Sequence, residues 1–291
     1  MIELSIIIVS YDSHKWIEKC LLSLHKYSDI AFGDFEIIII ENCKLLTTNY
    51  EERFKSTFRS EYYSNPANGG FGQGNNVGAF HARGEILLFL NPDTELITPV
   101  FKEAVNLLKT NCDIGSVGCD LIYESGKPNY SYGYLPEKAI YPVLLLDVLL
   151  LRKYRLYNNR WIYPWGACIF VRKTDFMRVG RFDELLFLTH EEPDLVKRLQ
   201  PKSVIILKTK IIHHGGHTTK NSRVRAKHWY YSFIEYQRKH SIDAKRTHIH
   251  LFWYYKTLMI YYKIINNRER VAELSDYLFF IEKGFKSWKN N

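Results

Sequence analysis

The strongest constraint on this 291-residue chain is the alternation of short β-branched runs with helix-spaced stretches through its first 120 residues. Leu4–Val9 reads LSIIIV, Phe35–Ile40 reads FEIIII and Ile86–Leu90 reads ILLFL. Runs without polar alternation mark strands covered on both faces, as in parallel sheets. Between them, Trp16, Ile17, Leu21 and Leu24 recur at helical spacing within Ser13–Tyr27, and Val100–Lys109 is helical again. Tyr62–Ser64 reads as a shorter strand, Gly70–Ala82 opens glycine-rich and turns helical, and Ile114–Cys119 returns to strand. This order predicts an α/β fold with a parallel sheet and helices on both faces. Such sheets bind ligands outside the carboxyl ends of their strands. The segments there are SYDS, ENC, NPANGGFGQGNN and NPDT, so the search for chemistry starts with them.

The second half is less regular. Residues 123–165 are rich in Tyr and Pro, with hairpin or loop character. Within them IYPVLLLDVLLL is broken by Asp147 and is too short for a bilayer, which needs about 20 apolar residues. Trp165–Val171 reads as a strand, Glu191–Leu199 as a helix and Val204–Leu207 as a strand. From Arg223 onward the pattern is helical and aromatic. The expectation is one α/β domain (1–222) followed by a helical C-terminal extension (223–291).

Composition narrows the partners. With 46% hydrophobic and 24% charged residues, a largely disordered chain is excluded. Residues 1–150 carry 12 basic and 19 acidic side chains, whereas 151–291 carry 28 basic and 12 acidic. A basic second half fits nucleic acid, an anionic membrane or a phosphorylated substrate. No nucleic-acid module is recognised, so no nucleic-acid partner is expected. Five scattered cysteines without a CxxC pair argue against a disulfide framework and fit a reducing cytosol. MIELSIIIVSYDS has an acid at position 3 and turns polar after nine residues, which predicts neither a signal peptide nor an anchor.

Four segments admit both a chemical and a structural reading. In NPANGGFGQGNNVG (65–78), glycines allow close approach to an anion at a helix start, or merely shape a strand-to-helix turn. It is neither a P-loop nor a Rossmann fingerprint. In NPDT (91–94), Asn91 and Asp93 are oxygen ligands for a hard cation or turn residues. In HEEPDLVKRL (190–199), Glu191, Glu192 and Asp194 complement a helix start, or crowd so that one becomes a general base. In IIHHGGHTT (211–219), His213, His214 and His217 form no familiar zinc spacing; one imidazole completing an oxygen-rich site is the alternative to solvated histidines.

Taken in order, SIIIVSYDSHKWIEKCLLSL, IIIIEN, NGGFGQGNNVGAFHARGEILLFLNPDT, WGACIFVRK, GRFDELLFLTHEEPDLVKRL and HHGGHTT resemble glycosyltransferase family 2. The nearest branch is the rhamnosyltransferase-like enzymes of bacterial surface-polysaccharide assembly. The resemblance covers about residues 3–240 and implies a nucleotide-binding half, about 1–120, and an acceptor half, about 121–222. It implies a GT-A fold, Rossmann-like with a mostly parallel sheet, a nucleotide-sugar donor, a divalent cation (Mg²⁺ or Mn²⁺) and inversion at the anomeric carbon. It places Ser10, Tyr11, Asp12 and Glu41 around the nucleotide, with Asn68, Gly70, Asn76 and Gly78 in the loop beside it. Asp93 matches the last acid of the metal-binding DxD element, and Asn91 stands at its first. Trp165, Gly166 and Ala167 match the acceptor side, where Asp194 is also expected. Glu191 and Glu192 match a Glu-Asp pair whose second acid is the base, and His213 or His214 matches a histidine near metal and diphosphate.

That inventory fits a carboxylate base, with metal and helix N–H groups stabilising the leaving diphosphate. L-rhamnose from dTDP-L-rhamnose is the expected donor, and a growing, lipid-linked glycan the acceptor. A catalytically silent sugar-nucleotide-binding or scaffold protein is the rival reading. In 247–270, Lys256, Lys263 and Arg270 lie seven apart as a polar stripe on an aromatic helix, which predicts contact of 223–291 with the inner face of the cell membrane, or packing against the domain or a second subunit.

Overall fold

The computed structural model describes residues 2–11, 13–42, 60–215 and 221–289. Its main sheet has eight strands, in the spatial order Ser60–Ser64, Phe35–Glu41, Leu4–Ser10, Ile86–Leu90, Cys168–Arg172, Ile114–Ile122, Ser203–His213 and Thr94–Leu96. The parallel half is β1 (Leu4–Ser10), β2 (Phe35–Glu41), β3 (Ser60–Ser64) and β4 (Ile86–Leu90). Their unbroken apolar runs serve two cores at once. Ile6, Ile8, Ile37, Ile39 and Leu88 face one, while Ile7, Ile38, Ile40, Leu87 and Phe89 face the other. Successive side chains alternate across a strand, so a run with no polar partner face must be covered on both sides.

Three helices follow the strands: α1 (His14–Tyr27), α2 (Gly70–His81) and α3 (Phe101–Thr110). A Cβ on Gly78 would stand 2.3 Å from Ile7 Cγ2, so glycine there lets α2 lie directly on β1.

The other half of the sheet is mixed. β6 (Ile114–Ile122) and β10 (Ser203–His213) are parallel, but β9 (Cys168–Arg172) runs against both β4 and β6, and β5 (Thr94–Leu96) runs against β10. The sheet is thus mostly parallel, as expected, with its antiparallel pairings confined to this half; an apolar run carries no information about strand direction, so the sequence did not place them. β10 is also longer than Val204–Leu207, with a register shift between Leu207 and Lys210. Its extra length pairs His213 with Thr94.

Residues 123–165 contain a hairpin, β7 (Tyr132–Tyr134) with β8 (Ile162–Pro164). They also contain helix the sequence did not announce: α4 (Tyr141–Leu146), a π-helical turn at Asp147–Leu151, and α5 (Arg152–Tyr154). Pro142 lies in the first turn of α4, where its missing N–H is harmless. Next come α6 (Lys173–Arg178) and α7 (Glu191–Leu199).

The extension is three helices, α8 (Ser222–Lys239), α9 (Ala244–Ile264) and α10 (Arg268–Lys289). Ser241 and Asn266, both left-handed at φ 50° and 55°, mark the turns between them. The continuous 247–270 stripe is corrected by this break. Arg270 belongs to α10 and pairs with Glu273 at 2.7 Å, and Lys256 reaches Glu282 at 3.6 Å. The extension lies against the sheet domain: Ser232 Oγ donates to the Leu188 carbonyl (3.1 Å) and Tyr236 OH to Glu137 (3.0 Å).

Candidate active site

At the carboxyl ends of β1 and β2, Ser10 and Glu41 are directly paired in register. Both are buried, and among the described residues Ser10 Oγ and Glu41 Oε1 have no hydrogen-bond partner. An unpaired buried polar atom costs about 1–3 kcal/mol, so two side by side mark a place built for something polar. Beside them Asn42 donates to the Gly70 carbonyl (3.0 Å), Asn65 donates to Asn42 Oδ1 (2.6 Å) and also bonds Gln73. This network pins the loop that opens α2. Asn68 (φ 43°) and Gly70 (φ 87°) give that loop its left-handed turns. Tyr11 is exposed at the rim, and Asp12 lies outside the described residues.

A Cβ on Gly70 would stand 2.0 Å from the Phe187 carbonyl oxygen, a backbone atom that cannot step aside. Gly70→Ala is therefore expected to destabilise the fold by more than about 1 kcal/mol and to weaken donor binding, as read by urea unfolding and donor KM. Asn76 belongs to this loop in sequence but not in function. Its side chain is used up on residues 182–184: it accepts from Phe182 N–H (3.0 Å) and donates to the Phe182 carbonyl (3.0 Å) and Glu184 (2.9 Å). The expected nucleotide contact is corrected to a clamp.

The β5–β10 pairing assembles the second cluster. Asp93 Oδ1 lies 3.5 Å from His213 Nε2, and Asp93 Oδ2 accepts from Gly215 N–H at 3.1 Å. Burial alone would raise the Asp93 carboxyl, but His213 and the N–H donors outweigh it and hold it below the usual carboxylate range. His213 Nδ1 is buried and unpartnered among the described residues. His214 turns the other way, with Nε2 2.7 Å from Glu95 and its ring 4.3 Å from that of Trp16. Chain alternation thus separates the two histidines, leaving His213 beside Asp93. Asn91 reaches the same region through its backbone, donating N–H to the Ala167 carbonyl at 3.1 Å.

The third cluster hangs on α7. Gly166 N–H donates to Glu192 Oε1 at 3.1 Å. Burial pushes the Glu192 carboxyl up to about 7, against the pull of backbone donors. Glu191 behind it is only 2% exposed and, among the described residues, its Oε2 has no hydrogen-bond partner. Burial, then the charge of Glu192, raises it well above the carboxylate range. Tyr163 is raised by burial and by the same two acids, so a neutral phenol sits against the pair. Trp165 is exposed and stacks on Tyr130 (centroids 5.9 Å), while Ala167 is fully buried.

Asp194, expected on the acceptor side, is instead fully buried and saturated. Its oxygens meet Arg198 (2.6 Å), His240 (2.8 Å) and Lys239 (2.9 Å). It ties α7 to the extension. The turn before α7 is also held from there: Thr189 and His190 are left-handed at φ 70° and 69°, a conformation costing about 1–3 kcal/mol each. The His190 ring is packed near Trp229, Phe233 and Tyr236, and burial lowers it to about 3, so it is neutral.

Glycine at 166 is required by the placement of Glu192, since a Cβ would stand 2.4 Å from Glu192 Oε1. Gly166→Ala is expected to displace that carboxylate and cut turnover on the order of 10²-fold with little change in melting temperature. Asn42, Asn65, Gln73, Tyr130 and His190 were not singled out by sequence reasoning. Asn42 and Asn65 lie in strand-end segments already marked, and their polarity beside unbroken apolar runs was the available signal.

A profile described as glycosyl transferase family 2 matches residues 5–180, more than half of the chain. The O-antigen biosynthesis protein RfbC of Myxococcus xanthus is 24% identical over 179 residues, which is 56% of this chain and 13% of that protein. The N-acetylglucosaminyl-diphospho-decaprenol L-rhamnosyltransferase of Mycobacterium tuberculosis is 39% identical over 57 residues, 19% of each chain. The chain thus spans a small part of the length of RfbC. Among solved structures, the mannosyltransferase PcManGT from Pyrobaculum calidifontis, in complex with GDP-Man and Mn²⁺, aligns over 96% of this chain and 86% of its own at a TM-score of 0.65 and 14% identity. The architecture expected from the sequence resemblance, GT-A, is the one these strands build. With the family profile running from β1 through α6, this chain belongs to glycosyl transferase family 2.

Proposed function

We propose that the chain is an inverting glycosyltransferase that moves a sugar from a nucleotide donor to a hydroxyl of a growing polysaccharide. The observation that carries this reading is the Glu191–Glu192 pair, pushed up by burial, with Glu192 held by Gly166 at the same end of the sheet as Asp93 and His213. An acceptor hydroxyl needs a base whose pKa lies near working pH, and Glu192 at about 7 meets that need. Gly166 occupies Oε1, which leaves Oε2 to take the acceptor proton. Glu191 is buried behind and stays protonated. One base without a second nucleophilic carboxylate fits direct displacement and inversion.

Ser10 and Glu41, with their unpartnered oxygens, line the place for the nucleoside. The Asn42–Asn65 network holds the start of α2, whose first-turn N–H groups, apart from that of Phe71 bonded to the Phe187 carbonyl, favour an anion. Among the described residues, no three His, Cys, Asp or Glu side chains converge on one point. Asp93 and His213 nevertheless fit one Mg²⁺ or Mn²⁺, an oxygen and a nitrogen donor of the kind expected when phosphates supply the remaining ligands. The ion would offset the charge gathering on the departing diphosphate. Asp93→Ala and chelation are both expected to lower turnover about 10²-fold or more, read as nucleotide release with and without added Mn²⁺.

L-rhamnose from dTDP-L-rhamnose is the favoured donor and a lipid-linked glycan the favoured acceptor, supported by the sequence resemblance and the similarity to the N-acetylglucosaminyl-diphospho-decaprenol L-rhamnosyltransferase. Peripheral contact with the inner face of the membrane completes the reading; among the described residues no helix is long and apolar enough to cross one. The test is nucleotide release from a panel of sugar nucleotides, followed by product analysis on a diphospholipid-linked acceptor. Tight donor binding with no release from any donor would mark a silent binding protein and sink the proposal.

A further inference from the structure

The helical segment inside 123–165 is built inside out. Its one acid, Asp147, is 2% exposed, and Val148 beside it is 51% exposed. Asp147 accepts from Tyr132 OH (2.5 Å) and Tyr134 OH (3.2 Å) and pairs with Arg152 (2.7 Å). These bonds turn Leu146, Val148, Leu150 and Tyr154 out to solvent. A helix facing water has the reverse pattern. A second apolar face lies alongside. On α9 the exposed Ile249, Trp253, Ile260 and Ile264 are four, eleven and fifteen residues apart, one stripe of the helix. Thr257, at the edge of that stripe, bonds Tyr141 of α4 at 2.9 Å, so the two faces adjoin.

We propose that α4–α5 and the outer stripe of α9 form one surface that seats the protein on an anionic lipid bilayer. This deepens, and rests on, the membrane contact in the function proposed above. It also moves that contact, since half the surface comes from the acceptor half rather than the extension. Charge selects the occupant. α9 carries Lys245, Arg246, Lys256 and Lys263 and no acid at all. Lys256 is shared with Glu282, but Lys245, Arg246, Lys263 and, on α5, Lys153 are exposed at the margin of the apolar stripes. Lys153 lies over the Tyr154 ring (5.2 Å), a pairing suited to headgroup depth. Apolar side chains rimmed by cations, on helices unable to span, match an interfacial seat. A continuous run of contacts joins this seat to the base. Arg152 sits over the Tyr130 ring (4.9 Å), Tyr130 stacks on Trp165, and Gly166 holds Glu192. That run of contacts gives a lipid-borne acceptor a route from the bilayer surface towards Glu192.

The test is flotation of the full chain with vesicles of phosphatidylglycerol and phosphatidylcholine in equal parts, and of phosphatidylcholine alone. Two double variants are compared, Val148→Ser with Leu150→Ser, and Trp253→Ser with Ile260→Ser. The expected result is binding to the anionic vesicles that weakens as salt rises and falls at least about tenfold in each double variant. Melting temperature and vesicle-free nucleotide release should match the parent. Absence of binding would overturn the proposal, as would binding weakened only by the α9 variant, or a stable dimer that either variant splits. Nucleotide release is read without vesicles, so a chain that floats but releases nothing from any donor fails as a transferase while the surface stands.

Discussion

Glu192→Gln is expected to lower turnover by about 10²–10⁴-fold while leaving donor affinity nearly unchanged, because it removes a proton acceptor but keeps the shape and the Gly166 contact. Its signature is in the pH profile. Burial raises the Glu192 carboxyl to about 7, so with Glu192 in the proposed role of base the parent should gain activity as pH rises through that value. The variant should lose that acidic limb altogether. Glu191→Gln provides the control. Burial and the charge on Glu192 hold Glu191 protonated at neutral pH, and glutamine mimics that neutral state. The limb should therefore stay near its parental position, with turnover reduced far less. Were Glu191→Gln the variant that abolished the limb, the roles of the two acids would be reversed.

The assignment of those roles marks where sequence reasoning reached its limit. The strands β1, β2 and β4 were legible because a run such as IIIV has only one stable setting, between two apolar layers. The strand-end loops were legible for the same reason, since polar residues that interrupt such runs must sit at the sheet's edge. The direction of β9 was not, because nothing local distinguishes a strand that runs up from one that runs down. Nor was the helix at 141–154, whose apolar periodicity faces away from the core around a buried Asp147. His213 and His214 are one residue apart and chemically equal on paper. Only the pairing of His213 with Thr94 decides which of them meets Asp93. Glu191, Glu192 and Asp194 likewise look alike as acids in a first turn, and what separates them is contributed from elsewhere: Gly166 for one, and the extension for another.

Asp194 carries the largest stability effect we expect. It is fully buried with four charge-assisted bonds, to Arg198 twice, His240 and Lys239. Removing one partner of a buried ionic cluster strands the others, at about 3–5 kcal/mol. Lys239 keeps Asp183 at 2.6 Å, so Asp194→Ala should fall near the lower end, about 3 kcal/mol. For a domain of this size that is a drop in melting temperature of roughly 6–12 °C. Burial would raise this carboxyl, but His240, Arg198 and Lys239 overcome it and hold it at about 2. A carboxyl depressed in the folded state stabilises above its unfolded pKa. The contribution is thus present at neutral pH and lost as pH falls from about 4 towards 2, worth about 2 kcal/mol. Asp194→Asn keeps the shape but not the charge, so its deficit relative to the parent should shrink across that same window. The loss also reaches the chemistry, because Asp194 anchors the helix that begins with Glu191 and Glu192 and follows two left-handed residues. With the anchor gone, kcat should fall more than KM rises. A variant that melts lower yet turns over at the parental rate would show that the extension supports the fold without positioning the base.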